Sequence, residues 1–265
     1  MKIKKGIKKY LVYKILLVIT LFVTPNLAKP QQELSIMSYN IHHGQDADNK
    51  NKLEAMADLI NLSNADIVGL QEVDSVCFRS GKVDQAKKLA ELTGMQLGYV
   101  RHFAFDGGSY GMALLSKFPL SDLRNHRLPV ISDDQEKTVA FLTANVAVSS
   151  TLTFLVGVAH LDYRDANSRF RQANLIIDIY KKNTHPGILT GDMNAEPDSR
   201  EMSLLLNYFT DTQPVGPNTF PSSNPIKKID YVLVDKFQQI NVVKKEVLTV
   251  THSDHLPVLT TILLK

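Results

Sequence analysis

Two stretches of this chain carry one pattern at one spacing. A short apolar run delivers a polar residue, a helical stretch follows, and a second apolar run delivers an acid. Asn40 and Glu72 are 32 residues apart, and so are His160 and Asp192. Strand, helix and strand in that order, occurring in both halves, restrict the fold to an α/β arrangement. The economical solution is two mostly antiparallel sheets packed face to face with helices outside, because each sheet face and each helix stripe must bury its apolar side.

The remaining elements fit that frame. Leu34–Ile41 alternates and predicts the first strand. Leu53, Met56 and Ile60 at helical spacing predict a helix over 50–63. Asp66–Gln71 predicts a second strand with Glu72 at its end, and residues 83–93 predict a short helix closed by Gly94. Strands are expected near 95–101, 111–116, 120–128, 138–148 and 152–160, with Ser149–Thr151 as a hairpin turn. Phe105–Ser109 reads as a flexible loop. A long helix over 164–182, with Phe170, Ala173, Ile177 and Tyr180 on one face, precedes a strand at 187–191 and a short helix near 199–207. Strands at 229–234, 239–248 and 257–264 close the chain, and 265 residues with 44% hydrophobic composition suffice for one domain.

The first 28 residues stand apart. Lys2, Lys4, Lys5, Lys8, Lys9 and Lys14 precede the apolar run Ile15–Val23, followed by Pro25-Asn26-Leu27-Ala28. This is the layout of a signal peptide over 1–28 ahead of a domain over 29–265, with an uncleaved N-terminal anchor as the alternative. A secreted or periplasmic location follows from the first, a membrane-anchored one from the second. The leader also distorts the charge balance. The chain carries +3, but without its first six lysines the remaining 24 basic and 27 acidic residues leave −3. That balance lends no support to a phosphate-tracking nucleic-acid surface. Cys77 is the only cysteine, which excludes an intramolecular disulfide and a cysteine-based zinc site, and it reads as a packed side chain.

Gly191-Asp192-Met193-Asn194-Ala195-Glu196-Pro197 follows the apolar run at 187–190. Asp192 and Asn194, two residues apart, would leave the strand end on the same side. Taken alone, the stretch is either a polar turn or a carboxylate and carboxamide aimed at a nucleophilic water and a developing anion. Five further segments decide between these. They hold Asn40 (in Ser38-Tyr39-Asn40-Ile41-His42-His43-Gly44), Glu72 (in Leu70-Gln71-Glu72-Val73-Asp74) and His160 (in Val158-Ala159-His160-Leu161-Asp162). The last two hold Asp230 (in Ile229-Asp230-Tyr231) and Asp254-His255 (in Ser253-Asp254-His255-Leu256-Pro257).

In this order the segments resemble the endonuclease/exonuclease/phosphatase family of DNase I-like enzymes, from about Leu34 to Leu264, with Gly191–Asn194 and Ser253–His255 as the most specific matches. The resemblance implies a four-layer α/β/β/α sandwich and Mg²⁺-dependent hydrolysis of a phosphoester, with Mn²⁺ as a possible substitute. It implies that Glu72 is the principal metal ligand, with Asn40 beside it and Asp254 nearby. Asp192 would orient or deprotonate the attacking water, and Asn194 would donate to the phosphoryl oxygens. His255 would bond the scissile phosphate with its tautomer held by Asp230, and His160 would stabilise the transition state or leaving oxygen. His42 stands where many nucleases of the family have a second metal-binding carboxylate, so His42 and His43 read as packing or supporting residues.

Weaker candidates are Arg79, either a ligand for a non-scissile phosphate or a surface arginine, and Tyr110, either a stacking platform or a rim aromatic. Thr219-Phe220-Pro221 is expected to shape the substrate mouth, and Arg169 and Gln172 to be structural. The expected activity is that of a monomeric phosphodiesterase or phosphatase acting on an extracytoplasmic small-molecule or lipid phosphoester, without a stable protein partner. A secreted nuclease acting on DNA or RNA is the alternative. A non-catalytic binding module would require loss of a core residue, and none is missing.

Overall fold

The computed structural model describes residues 32–131, 137–236 and 241–264. The expected leader over 1–28 and the first two residues of the strand expected at 239–248 lie outside the described residues. Alternating apolar side chains build two six-stranded sheets. The first contains β1 (Glu33–Asn40), β2 (Ile67–Ser75), β3 (Gln96–Phe105), β4 (Gly108–Ser116), β11 (Asn241–Val247) and β12 (Val258–Leu263), in the order β11-β12-β1-β2-β4-β3. The second contains β5 (Leu120–Val130), β6 (Lys137–Ala147), β7 (Thr153–His160), β8 (Gly187–Asp192), β9 (Phe209–Asp211) and β10 (Asp230–Asp235), in the order β5-β6-β7-β8-β10-β9.

Among the described residues each sheet has one parallel pair, and each pair is joined by a helix. Helix α1 (Leu53–Ser63) connects β1 to β2, which places Asn40 opposite Gln71. Helix α3 (Ala166–Lys181) connects β7 to β8, which places His160 opposite Asp192. All other pairings are antiparallel, and the order around the parallel pair is the same in both sheets. Both halves thus share the strand–helix–strand crossover behind the 32-residue spacings, with registers one residue apart, since Asn40 pairs with Gln71 and Glu72 comes one residue later.

Three apolar clusters separate four layers. Leu34, Ile36, Ile67, Leu114, Leu142, Val156, Val158, Ile188 and Val232 fill the space between the sheets. Met37, Tyr39, Leu70, Met56, Ile60 and Leu89 pack the first sheet against α1 and α2 (Gln85–Thr93). Leu189, Leu233, Ala173, Ile177 and Met202 pack the second sheet against α3 and α4 (Arg200–Tyr208). The expected α/β/β/α sandwich is the observed fold. Helix ends follow local chemistry: Asp84, Asp165 and Ser199 each accept a first-turn N–H, and Gly94 closes α2 at φ 66°.

Three local expectations differ from the structure. Glu72 does not end its strand, since β2 runs on to Ser75. The pairing with β4 slips between Leu70 and Val73, and Glu72 sits in that bulge at φ 60°. Phe105–Ser109 is no flexible loop, because β3 and β4 pair as far as Phe105 and Gly108. Asp106 (φ 47°) and Gly107 (φ 78°) make the two-residue turn, a backbone handedness that matches strand twist. Strand β9 is only three residues long and left no periodic signal.

The two-residue period of a strand aims the functional side chains. Ile36 faces the inter-sheet core, so Asn40, four residues on, shares that face. Val156 and Val158 lead likewise to His160, Ile188 leads to Asp192, and Val232 follows Asp230 by two residues. The sheets approach closely below this point: a Cβ at Gly69 would stand 2.0 Å from the Thr190 hydroxyl. The four polar ends therefore converge in one gap.

Candidate active site

Asp192 is the hub, and its carboxylate is almost wholly buried. The Asn40 side-chain amide donates to Asp192 Oδ2 at 3.1 Å and to Glu72 Oε1 at 3.0 Å. His160 Nε2 lies 3.5 Å from the same Asp192 oxygen and 4.0 Å from Glu72 Oε1. His255 Nε2 approaches Asp192 Oδ2 at 3.7 Å, while its Nδ1 bonds Asp230 Oδ2 at 3.0 Å. The other Asp192 oxygen accepts the Asn194 backbone N–H at 2.9 Å. Six of the residues singled out in sequence, Asn40, Glu72, His160, Asp192, Asp230 and His255, thus form one contiguous network.

Glu72 and Asn194 both take left-handed backbone conformations, at φ 60° and 47°. Such geometry costs of order 1–3 kcal/mol in a non-glycine residue and persists only where the surroundings enforce it. At Glu72 the bulge turns the side chain away from the strand alternation and into the gap. Asn194 spends one amide N–H on the Leu161 carbonyl at 3.0 Å, which leaves its second for another acceptor.

The electrostatics follow from burial and neighbours. Burial alone would lower the pKa of His255, but Asp230 and Asp192 outweigh it and raise it to about 10. For Asp230 burial is the largest influence, and with the Asp192 charge it raises the pKa above the usual carboxylate range against the opposing pull of His255. Raised in this way, His255 carries the proton of the pair and stands as an imidazolium beside Asp230 and Asp192. Burial pushes the Glu72 carboxyl up, yet His160, the Asn40 amide, His255 and His42 together bring it below the usual range.

Asp254 lies on the rim, 3.9 Å from His42 Nδ1. Ser253, which the sequence reading quoted but gave no role, ties this segment down. Its hydroxyl lies 2.7 Å from the Asn40 carbonyl, accepts the His255 N–H at 3.2 Å and is 3.2 Å from Asp254 Oδ1. Thr219 was also missed in this capacity. Its hydroxyl is in reach of the Ile229 and Asp230 N–H groups, at 3.2 and 3.3 Å. Its neighbour Phe220 packs against the His255 ring at 4.7 Å between centroids. A loop threonine carries no sequence signal for such a role, whereas Ser253 lies inside a recognisable motif.

Arg79 is not a loose surface arginine. Its Nε and Nη2 bond both oxygens of buried Asp74 at 2.8 Å. Tyr110 lines the same cavity as Glu72, and burial followed by that negative charge raises the pKa of its hydroxyl well above the ordinary value. Gln172 accepts the Asp162 N–H at 3.0 Å, and Arg169 pairs with Glu201. Two cavities flank the network. One of about 690 Å³ is lined by Glu72, His160, Arg79 and Tyr110, the other of about 480 Å³ by Asn194, His255 and Lys227.

Two oxygen-bearing groups are suited to a divalent cation. Glu72 and Asp254 offer carboxylates whose side chains are 21% and 26% exposed, and Mg²⁺ favours hard oxygen ligands with room for water. Asn40 presents its nitrogen to the carboxylates, since its oxygen accepts the His42 N–H at 3.1 Å. Asp192, Asp230 and His255 also lie close enough to share an ion, their nearest atoms within 4.8 Å of one another. A protonated imidazole has no lone pair to give, however, so that group could ligate only by breaking the His255–Asp230 ion pair.

The Endonuclease/Exonuclease/phosphatase family pattern matches residues 37–255 of this chain. The YbhP protein of Escherichia coli (strain K12) is 25% identical over 218 residues, which cover 77% of this chain and 85% of YbhP. Among solved structures, the mannosyl-6-phosphatase Bt3783 of Bacteroides thetaiotaomicron VPI-5482 superposes with a TM-score of 0.72 at 19% identity, covering 87% of this chain and all of its own. An endonuclease/exonuclease/phosphatase protein of Bacteroides vulgatus gives 0.73 at 19% identity, covering 89% of this chain and 100% of that one. These two share the fold with this chain. With the family match spanning both halves of the sandwich and all six residues of the network, from Asn40 to His255, the chain belongs to the endonuclease/exonuclease/phosphatase family.

Proposed function

We propose that this protein is a Mg²⁺-dependent phosphoester hydrolase, with Mn²⁺ able to substitute, acting outside the cytoplasm on a small-molecule or lipid phosphoester. The observation that carries the reading is the His255 imidazolium between Asp230 and Asp192, with Glu72 tied to the same Asp192 through Asn40. A cationic donor beside the Asp192 side chain, both largely shielded from water, suits a reaction that activates water and builds charge on phosphoryl oxygens.

Glu72 and Asp254 would hold the metal, which when bound polarises a phosphoryl oxygen and offsets its charge. Asp192 would orient the attacking water and take its proton. His255 would donate Nε2–H to a phosphoryl oxygen, the spare Asn194 N–H to another, and His160 would support the leaving oxygen. Asp230 keeps the His255 proton in place. The mannosyl-6-phosphatase of the same fold is in keeping with a small phosphate ester, and the −3 charge without residues 1–28 favours one over nucleic acid. The extracytoplasmic site rests on the leader pattern, with secretion, periplasmic release or N-terminal anchoring as its forms.

The test is a panel of bis-p-nitrophenyl phosphate, p-nitrophenyl phosphate, plasmid DNA, RNA, sphingomyelin and inositol phosphates, with Mg²⁺ and with EDTA. Turnover should require the metal and vanish in Asp192→Ala and His255→Ala while the fold survives. Retained turnover in both variants rejects the assignment, and plasmid nicking without small-ester or lipid turnover makes the protein a nuclease.

A further inference from the structure

The wall of the larger cavity contains features that hydrolysis of a bare phosphate does not use. Arg79 has five N–H donors, and two of them are fixed by Asp74, whose own side chain is fully buried. The Arg79 backbone N–H is held as well, by Asp106 Oδ2 at 2.7 Å. The guanidinium lies over the Phe105 ring at 4.5 Å and beside the Tyr110 ring at 5.6 Å. Desolvating an aspartate against an arginine is a poor source of stability, so folding alone gives little reason for this clamp. Its result is a guanidinium held in one orientation, with its side chain 31% exposed and its remaining donors available at the cavity wall.

Next to it stands an aromatic platform. Phe103 stacks on Tyr110 at 5.3 Å with 29° between planes, yet Phe103 is 46% exposed and Phe105 38%. Large rings left facing water on a cavity wall are what a flat ligand would cover. Tyr110 and Glu72 line this same cavity, so the proposed metal ligand, the ring and the arginine share one wall.

We propose that this cavity selects phosphoesters whose ester group carries a ring and a second anionic group, with the ring against the Phe103–Tyr110 face and the second anion on the Arg79 fork. This rests on the phosphoesterase reading of the site and goes further by naming the substrate class. A planar guanidinium recognises a phosphate or carboxylate through paired N–H bonds, which lysine cannot reproduce. Purine nucleotides and phosphorylated sugars both offer this chemistry.

The experiment compares adenosine 3′,5′-bisphosphate with adenosine 5′-monophosphate, and fructose 1,6-bisphosphate with fructose 6-phosphate, under Mg²⁺. At least one bisphosphate should exceed its single-phosphate partner about tenfold or more in kcat/KM, chiefly through KM, as one charge-assisted fork predicts. Arg79→Lys and Arg79→Gln should bring that ratio close to one. Absence of preference in both pairs, or a preference unchanged in folded Arg79 variants, overturns the proposal. Phe103→Ala, at an exposed position, serves if the Arg79 variants do not fold. It should lower kcat/KM for the preferred ring substrate about fivefold or more relative to ring-free glycerol 3-phosphate, and equal loss on both overturns the proposal. If none of the four is hydrolysed, the ester panel above judges the phosphoesterase reading separately. Calorimetric titration of the same four compounds then decides the cavity's selectivity, tighter binding of a bisphosphate lost in Arg79→Lys upholding it and equal binding overturning it.

Discussion

The Asn40 amide nitrogen and the Asp192 carboxylate, 152 residues apart in sequence, meet at 3.1 Å across the gap between the two sheets. Through the same nitrogen Glu72 is joined to Asp192, so one amide group separates two carboxylates that would otherwise repel. Replacing it by Asn40→Leu leaves both without that donor. Stability should fall by about 1–3 kcal/mol, and kcat by about 10- to 100-fold. Urea denaturation and saturating-metal kinetics measure the two effects.

His255 titrates at about 10 in the folded protein against an ordinary 6.5, because Asp230 and Asp192 favour its charged form over the cost of burial. A base whose pKa is raised on folding contributes stability that is fully present below pH 6.5 and is lost as pH rises through about 10. The urea midpoint of the wild type should therefore decline across that window. His255→Gln should lose most of this slope, and an identical slope in both would mean another group is responsible.

Gly191 lies where β7 and β8 approach, and a Cβ there would stand 2.4 Å from the Ala159 carbonyl oxygen. Neither backbone can yield without shifting Asp192, the next residue. Gly191→Ala should cost about 1–3 kcal/mol by overpacking and reduce kcat more than it raises KM. Thermal melts and steady-state kinetics on the same preparation separate the two.

Tyr110 stands by Glu72 in the cavity wall, where burial and the carboxylate's charge keep its hydroxyl protonated and able to support Glu72. Tyr110→Phe keeps the ring and removes that support, so the apparent Mg²⁺ affinity should weaken about tenfold with little loss of stability. A metal-dependence titration of activity is the measurement. An unchanged midpoint would confine Tyr110 to the substrate wall.

Ser253 ties the loop before β12 to the end of β1 through the Asn40 carbonyl and the His255 N–H. Ser253→Ala leaves a buried carbonyl without that donor, at a cost of about 1–3 kcal/mol. His255 would lose its fixed position as well, which should appear as lower kcat at unchanged metal affinity.

Most of the framework was legible because it is written in local periodicity. The alternation of Leu34–Ile41, the apolar runs before Glu72 and Asp192, and the helical spacing of Leu53, Met56 and Ile60 each report which face of one element is apolar. The short β9 and the bulge at Glu72 escaped because neither has a period to read. The turn at Asp106–Gly107 was misread because Gly-rich segments look alike whether they are loose or tightly paired. Arg79 and Tyr110 were visible as residues but not as a pair, since their meeting depends on how the β3–β4 hairpin lies over the segment after β2.

The sequence by itself determined which residues stand at the ends of the central strands and on which face, since strand geometry makes both a matter of counting by two. The equal intervals from Asn40 to Glu72 and from His160 to Asp192 likewise foretold a strand–helix–strand crossover in each half. Only the tertiary structure decided that Asn40 would present its nitrogen to two carboxylates, that His255 would carry a proton between Asp230 and Asp192, and that a bulge would turn Glu72 into their midst. Those outcomes depend on the distance and angle between two packed sheets and on the dielectric of the gap they enclose, and no single segment of the chain contains that information.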